Sequence, residues 1–327
     1  MPDDFGDFHW ICQHAPLPQC NLFFNQLWNR DSEFLTTLFP TSSDFYNQYD
    51  VDVQSSRDDA NVMTARRDSG TGLGANCEIP WVSHRGSIGD VALVVLSAVA
   101  LIVTVVLISL ASRRRAAVGR VELRLLLGGF ALHSALQIIT MSSLLEQGTT
   151  ALTVLSAIHI ALIVSFFWVL LGNAIVATQV VEDGTPAAVV PLCVIAALFF
   201  APTLYIALDI GLHWTETFRI DSSDPSSLRS ITLFVLTLIW PAFAAVANLG
   251  IMLFIVSYKL REVKPAIFYV VAFAMFVGGQ VIFFLASQPL CDASNQKVNG
   301  AFLTTFLNIG AIGMIYLAWL MSGASFG

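Results

Sequence analysis

DVALVVLSAVALIVTVVLISLASRRR, running from Asp90 to Arg115, is the stretch on which the fold turns. From Val91 to Ala111 every residue is apolar or carries only a small hydroxyl. As an α-helix rising about 1.5 Å per residue, that run covers about 30 Å, the hydrocarbon thickness of a bilayer. A segment in lipid must satisfy its own backbone hydrogen bonds, so a helix is expected. The three arginines behind it resist entering hydrocarbon and anchor that end in the cytosol.

Six more apolar runs follow, and together they predict spans at Asp90–Ala111, Leu123–Leu145, Leu152–Thr178, Ala187–Leu208, Ser230–Val256, Ala266–Ser287 and Gly300–Leu320. The third and fifth are long enough to tilt or to project beyond the hydrocarbon. Composition agrees: 56% of residues are hydrophobic and 12% charged, where a soluble domain carries about 25% charged. The expected fold is an all-α membrane protein, a seven-transmembrane-helix bundle. Residues 1–87 form an N-terminal tail, 88–322 the membrane domain and 323–327 a short C-terminal tail.

Basic residues orient the bundle. The first loop carries Arg113, Arg114, Arg115, Arg120 and Arg124, and the fifth carries Lys259, Arg261 and Lys264. The opposite loops hold Arg219, Arg229 and Lys297. A lumenal N-terminal tail and a cytosolic C-terminus follow. The opening MPDDFGDFHW has neither the basic start nor the apolar core of a signal peptide, so the first span is expected to act as its own insertion signal.

The tail is acidic, with twelve Asp or Glu against five Lys or Arg before residue 88, which accounts for the whole net charge of −7. Nucleic-acid binding, which needs basic surface, is not indicated. Val53–Asn76 reads as a polar loop and Asn21–Phe39 as a short amphipathic helix. Topology puts Cys12, Cys20, Cys77 and Cys291 on the lumenal side, where four cysteines suggest two disulfides. Proximity across a Pro-Leu-Pro turn favours Cys12–Cys20, leaving Cys77–Cys291; another pairing or free thiols are the alternatives. Cys193, inside the fourth span, reads as a small buried apolar residue.

No Asp, Glu, Lys or Arg lies well inside a span, as ion-coupled carriers and pumps usually require, and there is no intramembrane lysine for a retinal Schiff base. His133 and His159 sit in the second and third spans without a third metal ligand at that depth. They read as helix-to-helix hydrogen-bonding groups or as the lining of a polar cavity, as do Gln137, Asn173, Asn248, Gln280 and Asn308. Pro202 and Pro241 predict kinks, and Gly278, Gly279, Gly310 and Gly313 close helix contact. Gly70–Gly74 lacks the Lys-Ser/Thr of a phosphate loop. No catalytic constellation, cofactor site or metal site is expected. A G-protein-coupled receptor shares this topology, but the third span ends in ATQVVEDG without an Asp-Arg-Tyr signature and the seventh lacks Asn-Pro-x-x-Tyr.

Four segments together resemble the fungal chitin synthase export chaperone family: ICQHAPLPQC (Ile11–Cys20), AVGRVE (Ala117–Glu122), EDGT (Glu182–Thr185) and VGGQVIFFLASQPLC (Val277–Cys291). The resemblance implies a non-enzymatic membrane chaperone of the endoplasmic reticulum that helps a multi-span chitin synthase fold and leave in vesicles. It would support cell-wall chitin synthesis, with vesicle coat machinery and membrane lipid as further partners. Onward travel with the client is a further expectation. The resemblance makes Gly119, Arg120, Glu122, Glu182, Asp183 and Gly184 candidate client contacts, with loop architecture as the alternative. It also implies a polar cytosolic extension after the seventh span, where this sequence ends at MSGASFG.

Overall fold

In the computed structural model, residues 5–30, 90–114, 118–142, 144–145, 148–215, 217–218, 228–294 and 298–324 are described. Two short helices come first, α1 (His9–His14) and α2 (Pro18–Arg30). The apolar runs then form α3 (Val91–Arg113), α4 (Arg120–Thr140), α5 (Thr150–Ala177), α6 (Pro186–Leu212), α7 (Ile231–Leu260), α8 (Val263–Leu285) and α10 (Gly300–Ala324), with a short α9 (Ser287–Ala293) before the last. Among the described residues these seven are the helices long and apolar enough to cross a membrane. Caps set several of their starts. Thr149 Oγ1 accepts the Leu152 N–H, Ser230 Oγ accepts the Leu233 N–H, and Pro186 occupies the first turn of α6.

The helices close into a ring. α8 packs on α10, α10 on α3, α3 on α4, α4 on α5, α5 on both α6 and α7, and α7 on α8 through its Trp240–Leu260 part, while its first part, Ile231–Ile239, scarcely meets α8. Mostly small side chains make the α3 seam: Leu93, Ser97, Ala100, Thr104 and Ala111 are buried, and residues such as Val95, Val99, Ile102 and Val106 are exposed. α5 is the inner helix. In its most apolar part 56% of residues are buried inside the protein, against 17% in α6. This corrects one expectation: Cys193 is not buried but exposed, because it lies on the outer face of a peripheral helix.

α7 is not uniform. Its Val235–Ile239 and Ile255–Leu260 turns are π-helical. The first stands directly before Pro241, whose ring cannot accommodate the ordinary carbonyl four residues back, so the kink expected there takes the form of a widened turn. α6 by contrast runs on as one helix through Pro191 and Pro202.

The largest difference from the sequence expectation is at the N-terminus. Residues 5–30 are built into the bundle. Phe8, Cys12, Cys20, Leu22 and Phe23 share a buried core with Ala157, Ile160, Ala207 and Leu233 of the spans. The chain before α1 pairs in antiparallel fashion with the segment before α7: the Phe8 N–H donates to the Leu228 carbonyl and the Ser230 N–H to the Gly6 carbonyl. The proposed polar loop Val53–Asn76 and the second half of the Asn21–Phe39 segment lie outside the described residues.

Candidate functional site

The two ends of the bundle are fastened by different chemistry, and an internal cavity lies between them. At the end away from α1 and α2, the loops α3–α4 and α5–α6 interlock. The Gly119 N–H donates to Asp183 Oδ2 at 2.6 Å, and the Gly184 N–H donates to Glu122 Oε1 at 2.7 Å. Each partner motif thus supplies one backbone donor and one carboxylate. Both glycines have left-handed backbones, φ +68° in each case, which exposes their N–H groups to the opposing acid with little strain. Trp319 of α10 adds a third strap, its Nε1–H donating to the Val118 carbonyl at 2.6 Å.

This clasp sorts the candidate client contacts. Glu122 is fully buried, because α4 begins at Arg120, ahead of the expected Leu123, and carries Glu122 inward on its first turn. Its side chain has no exposed surface and serves the clasp. Its Oε2 has no hydrogen-bond partner and lines a vestibule of about 530 Å³ together with Asn173, Asn248, Lys259 and Trp319. Gly119, Arg120 and Asp183 are half-buried, and Glu182 and Gly184 are exposed. The exposed surface of the motif pair is therefore the Glu182–Gly184 turn, with Arg120 at its margin.

At the opposite end a disulfide joins Cys12 and Cys20, with Cα atoms 5.7 Å apart, and holds the Pro16-Leu17-Pro18 turn between α1 and α2. Asn21 and Asn25, one helical turn apart on α2, reach into the spans. Asn21 Nδ2 donates to the Thr140 carbonyl and Ser156 Oγ, and Asn25 Nδ2 donates to the Gly211 carbonyl at 2.6 Å. Cys291 is disulfide-bonded; Cys77 lies outside the described residues. Asp209 accepts from the Thr215 N–H and hydroxyl and from the Phe218 N–H, tying down the chain after α6. Asp90, just before α3, accepts from Asn299 Nδ2 at 2.8 Å; burial pushes its carboxyl up to about 6, partly offset by that bond.

Between the ends, Pro16–Gln19 roofs a cavity of about 360 Å³. A polar relay leads into it. Thr140 Oγ1 meets His159 Nδ1 at 2.8 Å, and His159 Nε2 meets His133 Nδ1 at 2.9 Å. Because the Thr140 hydroxyl already donates to the Leu136 carbonyl, the consistent assignment has His159 Nδ1–H donating to Thr140 and His133 Nδ1–H donating to His159. His133 Nε2 is then left as an acceptor. The cavity wall also carries Gln137, which donates to Thr305 Oγ1, and Asn248, Gln280 and Asn308. Among the described residues no group of three or more His, Cys, Asp or Glu side chains could hold a metal.

Sequence reasoning places the two histidines correctly beside a polar cavity. It misses the reciprocal pairing of the loop motifs and the insertion of α2. Signals for both are present: each loop motif combines a glycine with at least one acid, and Asn21 and Asn25 share a helix face otherwise occupied by apolar residues.

A family profile described as chitin synthase export chaperone matches residues 4–324. Proteins named chitin synthase export chaperone are similar over nearly the whole chain. The one from Gibberella zeae is 24% identical over 317 residues, covering 96% of this chain and 81% of its own length. That from Aspergillus clavatus is 25% identical over 319 residues, covering 96% and 82%. That from Neurospora crassa is 22% identical over 316 residues, covering 96% and 75%. No solved structure matches the chain.

Proposed function

The chain belongs to the chitin synthase export chaperone family, and from that premise we propose that it escorts a multi-span chitin synthase through the early secretory pathway as a non-catalytic membrane holdase. The observation that carries this reading is the match of the family profile to residues 4–324, which takes in both fastened ends and all seven long helices. The escort works from the endoplasmic reticulum membrane. In this reading the end bearing α1, α2 and Cys291 faces the lumen and the clasp faces the cytosol, which the Arg113–Arg115 cluster and the basic loop after α7 support. An oxidising lumen suits the Cys12–Cys20 bridge, and Cys77 is the proposed partner of Cys291.

Contact with the client uses two kinds of surface. Outward apolar faces such as those of α3 and α6 offer van der Waals packing to client spans, which is what drives helix association in lipid. The exposed Glu182–Gly184 turn offers a cytosolic contact of defined shape. Solubilisation in a mild detergent followed by affinity purification should recover a chitin synthase. Deleting the gene should leave that synthase in the endoplasmic reticulum and lower cell-wall chitin while general secretion continues. Normal delivery of the synthase in the deletion strain, with no related chaperone present, defeats the reading.

A further inference from the structure

We propose that the cavity beneath the Pro16-Leu17-Pro18 turn is a binding site for a neutral hydroxylated lipid of the sterol class, reached from the bilayer between α7 and α8. Its volume, about 360 Å³, lies within the range of small-molecule sites, about 300–1,000 Å³. The chemistry of its wall selects the ligand in three steps.

Charge is excluded first. Among the described residues the lining contains no Lys, Arg, Asp or Glu, so a phosphate, carboxylate or ammonium head would be desolvated without a counter-charge from them. What the wall offers is neutral: imidazole, amide and hydroxyl groups.

The second step concerns the sense of the hydrogen bond. Asn308 Oδ1 is buried without a donor, and Gln19, only 4% exposed, leaves its Oε1 unpartnered at the roof. His133 Nε2 is left as an acceptor by the relay to Thr140. Asn248, Gln280 and Tyr269 line the same space and offer donors, so the complementary ligand group is a hydroxyl, which donates to the buried acceptors and accepts from these groups. Asn308 lies eight residues into α10, about 12 Å below its start at 1.5 Å per residue, so the hydroxyl would sit well inside the bundle.

Shape is the third. Phe130, Phe166, Phe167 and Phe276 line the same space in mutual ring contact, Phe130 to Phe166 at 6.3 Å and Phe167 to Phe276 at 5.6 Å between centroids. Flat aromatic walls favour a rigid fused-ring body over two flexible acyl chains, which would lose more rotamer freedom on binding. The lateral route follows from the ring of helices: α7 and α8 both line the cavity, and the first part of α7, Ile231–Ile239, scarcely meets α8 where it widens into a π turn before Pro241. The disulfide-held turn closes the other way out.

Photolabelling of the full chain in mild detergent, with a sterol probe carrying a diazirine and an alkyne, tests this. Labelling should saturate, be competed by unlabelled cholesterol and map to α5, α8 and α10. Ala245→Phe, which fills the cavity, should abolish specific labelling, while Val194→Phe on the outer face of α6 should leave it unchanged. Asn308→Leu, close in volume but without the acceptor, should weaken cholesterol competition roughly fivefold and leave competition by the 3-O-methyl ether unaltered. The Asn308 comparison stands alone should Ala245→Phe fail to fold. Non-saturable labelling, labelling confined to outer faces, or indifference to both cavity variants overturns the proposal. Competition by diacylglycerol but not by cholesterol overturns the sterol assignment, and competition by phospholipid overturns the exclusion of charge.

Discussion

Glu122→Ala should loosen the end of the bundle that carries the clasp. The Gly184 N–H donates to a buried carboxylate at 2.7 Å, and a hydrogen bond to a charged group contributes about 1.5–3 kcal/mol. Alanine removes that acceptor, and the vestibule already beside Glu122 prevents neighbours from filling the space. A loss of about 2–3 kcal/mol should lower the melting midpoint by about 4–8 °C for a protein of this size class. Glu122→Gln gives a different outcome. Its amide oxygen can still accept from Gly184, and it removes a charge whose second oxygen has no partner, so its stability should stay within about 1 kcal/mol of the wild type. Melting followed by size-exclusion chromatography in mild detergent gives the first measurement. Hydrogen exchange at the Gly184 amide gives the second, accelerated by about 30–150-fold in the alanine variant if local opening carries the loss. A midpoint shift under 1 °C with unchanged Gly184 exchange would refute the clasp as a stabilising device. Equal damage from Gln and Ala would show that charge, not the acceptor, is what matters.

Asp90→Asn should raise stability at neutral pH. The buried carboxyl titrates at about 6 instead of 3.8, so its contribution is fully present below 3.8 and lost as pH rises through 6, a penalty on the order of 3 kcal/mol above that point. Asparagine accepts equally from Asn299 and suits the left-handed backbone at φ 48°; melting curves from pH 4 to 8 should show the variant's advantage vanish toward pH 4. Opening the Cys12–Cys20 bridge as the double serine variant should cost about 2.5 kcal/mol by loop entropy for a separation of 8, read as a lower midpoint that reducing agent no longer shifts through this bridge. Gly6→Ala should cost about 1–3 kcal/mol, since φ is +91° and a Cβ would meet Ile231 at 2.9 Å; a melting midpoint equal to wild type would show that the pairing of this segment with Leu228 and Ser230 is dispensable.

The spans were legible because lipid imposes one rule on twenty-odd consecutive residues, and that rule leaves a continuous mark. Boundaries moved where local chemistry outweighs hydropathy: α4 starts at Arg120, since a left-handed Gly119 and an acid in the first turn make a helix start even though Arg and Glu are polar. The same shift carries Glu122 from a loop into the protein interior. The burial of α2 was not legible. PQCNLFFNQLWNR, with three Asn and two Gln, reads as a surface helix by hydropathy. Asn21 and Asn25 are buried because the span ends present backbone carbonyls to them at Thr140 and Gly211, and such partners are distant in sequence. Cys193 failed for a related reason: in lipid an apolar residue gains nothing by facing inward, so composition cannot tell the two faces of α6 apart.

The placement of strong and weak interactions along the bundle bears on how a holdase can remain folded while offering itself to another membrane protein. At one end a covalent bridge holds the N-terminal segment together, and an aromatic cluster of Phe5, Phe8, Phe23 and Phe234 and the buried amides of Asn21 and Asn25 join it to four spans. At the other, two carboxylate-to-backbone bonds join two loops and the Trp319 strap ties α10 to one of them. The middle has neither. There the helices meet through neutral side chains around a cavity, and α7 carries a π turn at Pro241, a geometry that can be rewound at small cost because it shifts a single residue in or out of register. With both ends fixed, the place for adjustment is the α7–α8 seam at Ile231–Ile239, where α7 scarcely meets α8. A client helix or a lipid pressing on that seam would change its packing without unfolding the protein. Tethering the seam should therefore inhibit escort while leaving melting unchanged. Cysteines placed at Ala242 and Phe276, both on the cavity wall, and joined by a thiol crosslinker provide the tether. Undiminished recovery of the synthase with the crosslinked protein would locate the contact elsewhere, on the outer faces of α3 and α6.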